Sequence, residues 1–396
     1  MSSIRLAYLL SQYPAVNHVF MLREVRLLRE LGFEIHVASI RGPDRDAAAM
    51  TAAEREEARS TFYVKGSSLF RVALAHLNTL LSRPLSYFAA LFNSVRYGAG
   101  GFLYFAEAVV VGYWMKQNRL SHLHTHYAST VAVIVARIFP IAWSLTVHGP
   151  AEFQNPRFRL AEKIQSSLFA CAISQYGLDQ LVNGSAGDQR AKLELTLLGV
   201  DPEMFPPRRF RPVPVPFQII CVSRLAPVKG QHVLIEAVAL LAKEGRPVRL
   251  RLVGDGPDRH ALEQQVEKHG LAGHVVFNAN VNQDGLQELY RGSDALALSS
   301  FAEGLPVVLM EAMSLEIPCV ASGVNGVPEI ITHEVDGLLV PPGDAPALAA
   351  AIARLMDDEA LRRRLGENAR RKILEKFNLQ RNTERLADVF RRRLSN

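Results

Sequence analysis

The chain has 396 residues, enough for two or three domains that each bury their own core. Its 48% hydrophobic and 21% charged content are globular values and exclude a disordered or fibrous protein. The net charge of +6 leaves nucleic acid, anionic lipid and phosphate-bearing substrates open as partners, although the arginine clusters at 362–364, 370–372 and 391–393 read equally well as solvated helix faces.

Residues 4–10 read as a first core strand. The run is too short, and Arg5 too near its start, for the apolar region of a signal peptide, so the expectation is a cytoplasmic protein. The three cysteines, Cys171, Cys221 and Cys319, sit in apolar strand-like contexts and read as buried thiols of a reducing compartment. A loop at 11–18, a helix at 19–31 ended by Gly32, and a strand at 33–39 make a βαβ unit, which implies a right-handed crossover and a parallel sheet. Ligands gather at the carboxyl ends of such strands, which makes Asn17 and His18 candidates on the acceptor side. Asn17 as a helix cap is the alternative. Asp44-Arg45-Asp46 spells a metal–diphosphate pattern, but it closes no strand and is given no role.

Residues 69–115 are unusually apolar. Two or three core helices are expected there, with a surface that dips into a membrane interface as the second reading. Gly98, Gly100 and Gly101 interrupt the run too early for a span. In the next strand, 121–127, His122, His124 and His126 alternate and so share one face. Three histidines there could hold a metal, but no carboxylate or cysteine lies beside them in sequence, and the reading is that His126 alone approaches a ligand. A helix at 129–139 and a strand at 142–147 lead to His148-Gly149-Pro150-Ala151-Glu152. His148, at a strand's carboxyl end and followed by glycine, is well placed to face a ligand, with a core or capping role as the alternative. Strands follow at 169–174 and 195–198.

Five prolines between Pro206 and Pro216, interleaved with Arg208, Arg209 and Arg211, read as a semi-rigid interdomain linker. The pattern then restarts, with strands at 217–222, 248–253, 275–277 and 295–298 separated by helices. Two α/β halves imply a cleft, the usual place for ligands. Arg224 and Lys229 follow the first strand of the second half, where two cations would neutralise a diphosphate. Gly254-Asp-Gly-Pro257 reads as a structural turn.

The richest stretch is 299–344. A loop with Glu303 and Gly304 leads through Pro306 into an apolar helix carrying Glu311, and Ile317-Pro318 ends that helix before a strand at 319–321. A helix N-terminus after a parallel strand is a phosphate site, and Gly304 lets backbone come close to a ligand. The two carboxylates cannot bind phosphate, but each can accept both hydroxyls of a vicinal diol. Phosphate flanked by diol acceptors describes a nucleotide sugar.

At this point the residues resemble a known family. Glu303 and Glu311, eight positions apart, are similar to the E-x7-E pattern of retaining glycosyltransferases of the GT-B fold, glycosyltransferase family 4. Ser223-Arg224-Leu225…Lys229-Gly230, Val253-Gly-Asp-Gly-Pro257, Gly326-Val-Pro-Glu329 and Gly337-Leu-Leu-Val-Pro-Pro-Gly343 follow that family in order and spacing. Tyr13-Pro14 and His122-Leu-His-Thr-His126 resemble its bacterial exopolysaccharide and colanic-acid-type branch. The resemblance implies an α/β chain of two Rossmann-like domains facing across a cleft. Residues 1–205 would bind the acceptor, 206–216 would link, 217–377 would bind the nucleotide sugar, and a final helix at 378–396 would cross back onto the first domain. It implies that Arg224 and Lys229 hold the diphosphate, with the backbone at Gly304 and Leu305. Glu311 would hold the ribose, Glu303 the sugar hydroxyls, and His148 would contact the sugar near the reacting carbon. Asn17, His18, His126 and Glu152 are the acceptor-side candidates. The resemblance implies no metal, because cationic side chains and helix dipoles stand in its place, and no other cofactor, because the nucleotide sugar is itself the substrate. The expected partners are that donor and a saccharide or lipid-linked saccharide, with possible peripheral contact at the inner membrane and no nucleic acid. The alternatives are a nucleotide-sugar epimerase or phosphorylase on the same scaffold, glycosylation of a small-molecule acceptor, and a non-catalytic nucleotide-sugar-binding module.

Overall fold

A computed structural model describes residues 3–185, 187–279, 281 and 283–394, apart from the side chains of Asn17, Arg157 and Asp284. The chain divides into two compact units, residues 1–197 with 383–396, and residues 198–382.

The first unit is built on seven parallel strands, β1 (Arg5–Gln12), β2 (Glu34–Arg41), β3 (Phe62–Tyr63), β4 (His122–His126), β5 (Ala142–Val147), β6 (Phe169–Ala172) and β7 (Leu193–Leu195). Their order is β3-β2-β1-β4-β5-β6-β7. Central parallel strands are covered on both sides, which is why β1 and β5 read as near-continuous apolar runs. β4 is the exception, five buried residues of which four are polar. Its polar groups are satisfied sideways. Thr125 donates to the Leu9 carbonyl at 2.8 Å, and Ser144 Oγ on β5 lies 2.8 Å from both His122 Nε2 and His124 Nδ1. The histidine face is closed by rings. Phe390, from the last helix Leu379–Leu394, is fully buried 5.0 Å from His124, 5.8 Å from Phe169 and 6.2 Å from Tyr8. Arg392 of that helix pairs with Glu194 at 2.7 Å.

The second unit holds β8 (Phe217–Val222), β9 (Val248–Val253), β10 (Val275–Asn278), β11 (Ala295–Leu298), β12 (Cys319–Ser322) and β13 (Leu338–Val340), all parallel, in the order β10-β9-β8-β11-β12-β13. Its core gathers Ile219, Leu250, Leu252, Ala297 and Val320 from the sheet and Leu234, Val238 and Ile352 from the helices. All three cysteines are free and buried.

Two expectations change. The proline-rich stretch 206–216 is anchored within the second unit. Arg208 is buried, its backbone N–H donates to the Leu315 carbonyl at 3.2 Å, and Arg211 pairs with buried Asp294 at 3.0 Å. Fixed φ angles stiffen the stretch, and these contacts tie it down. The apolar block 69–115 forms three helices, Leu69–Ser82, Pro84–Ser94 and Gly101–Gln117. Only the third is largely core, with Val109, Val110, Val111 and Met115 buried. The first two fully bury only Ala75, Thr79, Ala90 and Ser94; Val72, Tyr87 and Leu91 pack partly buried against the core, and Leu69, Phe70, Leu77, Leu81, Leu85 and Phe92 stay exposed.

Candidate active site

In an open parallel sheet the ligand crevice lies where the strand order reverses. In the second unit that point is between β8 and β11. The loops leaving those two strands carry Arg224, Lys229 and Glu303, and they are in direct backbone contact. The Phe301 N–H donates to the Val228 carbonyl at 2.8 Å, and Ser299 Oγ donates to the Gly230 carbonyl at 2.8 Å. Gly230 permits this approach. Its φ is +62°, and a Cβ there would stand 2.2 Å from the Ser299 carbonyl oxygen. From the β9 side Gly254 fits as tightly, since its Cβ would stand 2.1 Å from the Ser223 carbonyl oxygen. The Gly254-Asp-Gly-Pro257 turn therefore buttresses the loop that bears Arg224.

The structure brings Lys229 and Glu303 together. Lys229 Nζ lies 2.7 Å from Glu303 Oε1, which also accepts from Ser300 Oγ at 2.6 Å, and the Glu303 N–H donates to Asn325 Oδ1 at 3.2 Å. Glu303 is buried and the lysine side chain is a quarter exposed. A carboxylate held by both an amine and a hydroxyl is fixed in direction. Arg224 is exposed and its guanidinium has no acidic partner among the described residues. Gly304 and Leu305 precede the helix Val307–Ser314, and their N–H groups meet no acceptor among the described residues. Glu311 lies in that helix, buried, and accepts from Tyr290 OH at 3.0 Å and Gln283 Nε2 at 3.3 Å. Burial and then the Glu311 charge push the Tyr290 hydroxyl well above its ordinary pKa, so it is a permanent donor.

The first sheet reverses between β1 and β4, and His18 and His126 follow or end these strands. His148 follows β5. The rings of His18, Tyr127 and His148 form a stack, with centroids 4.8 Å and then 4.5 Å apart. Tyr127 holds φ +60°, a backbone state that costs a non-glycine residue energy and recurs at functional sites. Asn17's side chain lies outside the described residues. His126 departs from expectation. It is fully buried and lies behind His148, with Nδ1 at 2.8 Å from His148 Nε2, because β4 is central and covered. On its other side His126 Nε2 is 3.2 Å from Glu24 Oε1, within ion-pair distance though not aligned for a hydrogen bond, and Tyr8 OH donates to the same oxygen at 3.0 Å. Glu152 likewise turns inward and accepts from the His148 backbone N–H at 2.6 Å.

This chain of contacts couples the two imidazoles. A proton on His126 Nε2, 3.2 Å from the Glu24 carboxylate, would leave His126 Nδ1 to accept from His148 Nε2–H. His148 Nδ1 is then a bare acceptor, buried and without a protein partner among the described residues. Burial, followed by the charges of His126 and His18, lowers the His148 pKa well below the ordinary value, and burial lowers His18 to about 4. Burial raises Glu152 to about 7. Lys163, which donates to Ser129 and Thr130 at 2.9 and 3.1 Å, is lowered by burial to about 7. Glu24, His124 and His126 offer ligand atoms within 4.8 Å of one another. Both nitrogens of His124, however, are engaged by Ser144 and Thr146 at 2.8 and 3.0 Å.

Reading the sequence missed Glu24, Tyr8, Tyr290, Ser300 and Lys163. Ser300 stood three residues before Glu303 and was the one with a local signal. The others reach their partners only through the fold.

Comparison with known proteins agrees with the fold. Residues 209–372 match the family described as Glycosyl transferases group 1. The chain is 34% identical over 173 residues to an Alpha-D-kanosaminyltransferase of Streptomyces kanamyceticus, a match that spans about half of each protein (44% and 45%). It is 27% identical to the Putative colanic acid biosynthesis glycosyltransferase WcaL of Escherichia coli, over 95% of this chain and 97% of that one. Among solved structures, Anabaena HepE in complex with UDP and glucose superposes with a TM-score of 0.76 at 19% identity, over 98% and 99% of the two chains. That likeness is one of fold, and the fold is GT-B, two Rossmann-like α/β domains.

Proposed function

We propose that this glycosyltransferase, whose residues 209–372 form a Glycosyl transferases group 1 domain, moves a hexose-type sugar from a UDP- or GDP-sugar to a saccharide acceptor with retention of anomeric configuration. The acceptor is a lipid-linked saccharide in the assembly of a cell-surface polysaccharide. The full-length similarity to a protein named for colanic acid biosynthesis supports that setting. The observation that carries the donor assignment is the Lys229–Glu303 pair at the reversal point of the second sheet, ahead of two backbone N–H groups without acceptors.

In this reading the bond between the anomeric carbon and the diphosphate oxygen breaks through an oxocarbenium-like state. The leaving diphosphate gains negative charge at that moment. Arg224, Lys229 and the N–H groups of Gly304 and Leu305 stabilise it, and preorganised charge at such a point is commonly the largest catalytic term. No metal is required for this. The acceptor hydroxyl attacks from the side the leaving group occupies, and its proton goes to the departing phosphate oxygen. Glu303 accepts from the sugar hydroxyls and Glu311 from the ribose. His148 offers Nδ1 to a sugar hydroxyl.

Lys229→Ala or Arg224→Ala is expected to lower kcat/KM by ~10²-fold, as for a lost oxyanion donor. The measurement is initial rate with the donor that gives the largest thermal shift among UDP- and GDP-sugars. Near-normal turnover in either variant would remove the phosphate assignment. Nuclear magnetic resonance of the product's anomeric proton decides retention, and release of sugar without an acceptor would favour an epimerase.

A further inference from the structure

The helices Leu69–Ser82 and Pro84–Ser94 present an apolar face that no part of the described chain covers. Phe70, Leu74, Leu77 and Leu81 recur at helical spacing on one side of the first helix and are 77%, 39%, 55% and 75% exposed. The residues that helix buries, Ala75 and Thr79, lie on the opposite side. The second helix repeats the arrangement. Leu85, Phe88 and Phe92 are exposed, and Ala90 and Ser94 face in. Twelve of the 23 large hydrophobic side chains exposed among the described residues fall between Leu69 and Tyr104. A contiguous patch on this scale marks an interaction surface.

Charge identifies the partner. Between Glu57 and Glu107 the sequence has Arg59, Lys65, Arg71, Arg83 and Arg96 and no aspartate or glutamate. Lys65 is paired with Glu107 at 3.5 Å, and Arg71 lies over the Phe62 ring at 5.7 Å. Arg83 and Arg96, at the ends of the second helix, have no acidic partner among the described residues. No helix of the described chain is long and apolar enough to cross a membrane, and at 14 and 11 residues these two fall short of the ~20 a span requires. A large apolar face flanked by cations on short helices is built to lie in a lipid interface, with the rings at acyl depth and the guanidinium groups at anionic headgroups.

We propose that this face binds the surface of an anionic phospholipid bilayer, with the helices Leu69–Ser82 and Pro84–Ser94 lying in the interface plane. The assignment stands apart from the transfer reaction, since it needs neither donor nor acceptor.

The test is flotation of the full chain with phosphatidylcholine vesicles, with and without phosphatidylglycerol, at low and high salt. Binding is expected to require the anionic lipid and to weaken with salt as screening sets in. Phe70→Ser with Phe92→Ser is expected to weaken binding by about tenfold, and Arg83→Glu with Arg96→Glu by a similar factor on anionic vesicles only. All four positions are exposed or at helix ends, and a melting curve that stays within a few degrees confirms the fold of each variant. Failure of the unsubstituted chain to float with anionic vesicles at low salt overturns the proposal. So does equal binding by the double-serine variant. A concentration-dependent dimer, lost in that variant and accompanied by no flotation, assigns the face to a second copy of the chain.

Discussion

At the scale of single residues, the first unit's site is a problem of proton placement. His148 can be an acceptor at Nδ1 only while His126 is held in one tautomer, and Glu24 is the charge that favours that tautomer. Glu24→Gln keeps the shape and removes the charge. The expected result is a fall in kcat on the order of tenfold, worth ~1.4 kcal/mol of barrier, with donor KM little changed and the acid limb of the pH profile, where His148 would take up a proton, displaced. A variant whose kcat and pH profile match the parent would make Glu24 a packing residue. In the second unit, Glu303→Gln should hit sugar transfer harder than nucleotide binding, because the amide still meets Ser300 but no longer pairs with Lys229. Equal loss of both would contradict its contact with the sugar. On the proposed function, the pairing also explains how a carboxylate could stand beside a diphosphate, since the lysine would offset it until the ligand arrives.

At the scale of elements, two loops must meet for that pair to exist, and Gly230 is the point of contact. Gly230→Ala adds the cost of a left-handed backbone, about 1–2 kcal/mol, to a collision with the Ser299 carbonyl at 2.2 Å. Gly245→Ala is the comparison, because Gly245 has φ +74° and nothing within 4 Å of its Cβ. Urea midpoints should show Gly230→Ala as the clearly more destabilised of the two, and similar midpoints would mean that the loops can part without cost. Much of this level was legible beforehand. The strands of the second unit announced themselves as short apolar runs, and the eight-residue spacing of Glu303 and Glu311 across Pro306 is local enough to read directly. Local patterns fail when the partner is distant. Arg208 and Arg211 read as part of a semi-rigid linker because Asp294, which fixes Arg211, lies 83 residues further along. The helices at 69–94 were apolar enough for a core, and only the fold shows which face the neighbours leave bare. His126 was placed at the ligand because alternation reveals which side chains share a face, but not what covers that face.

At the scale of the whole molecule, the buried histidines tie stability to pH. Burial lowers His18 and His122 to about 4 and carries His124 and His148 well below the ordinary value. Folding thus favours their neutral forms. The stabilisation is complete above the unfolded value of 6.5 and is lost as pH falls through about 4. Glu152 has the opposite sign. Raised to about 7, it favours the protonated form, so its contribution is complete below 4.5 and declines as pH rises through 7. The histidines outnumber it, and the melting temperature should drop steeply between pH 6.5 and 4. His122→Asn should flatten that drop. A melting temperature unchanged over this range would mean that the strand takes up protons without loss.

The helix that supplies Phe390 gives the first unit an unusual history. Its aromatic lid over the histidine strand comes from residues 383–394, while nearly everything else in that unit lies before residue 198. A ribosome therefore releases the second lobe's entire length before the first can close. During synthesis the nascent N-terminal sheet waits with its imidazoles uncovered, and a transcript cut short near the end would yield a chain whose second unit is whole and whose first never finishes folding.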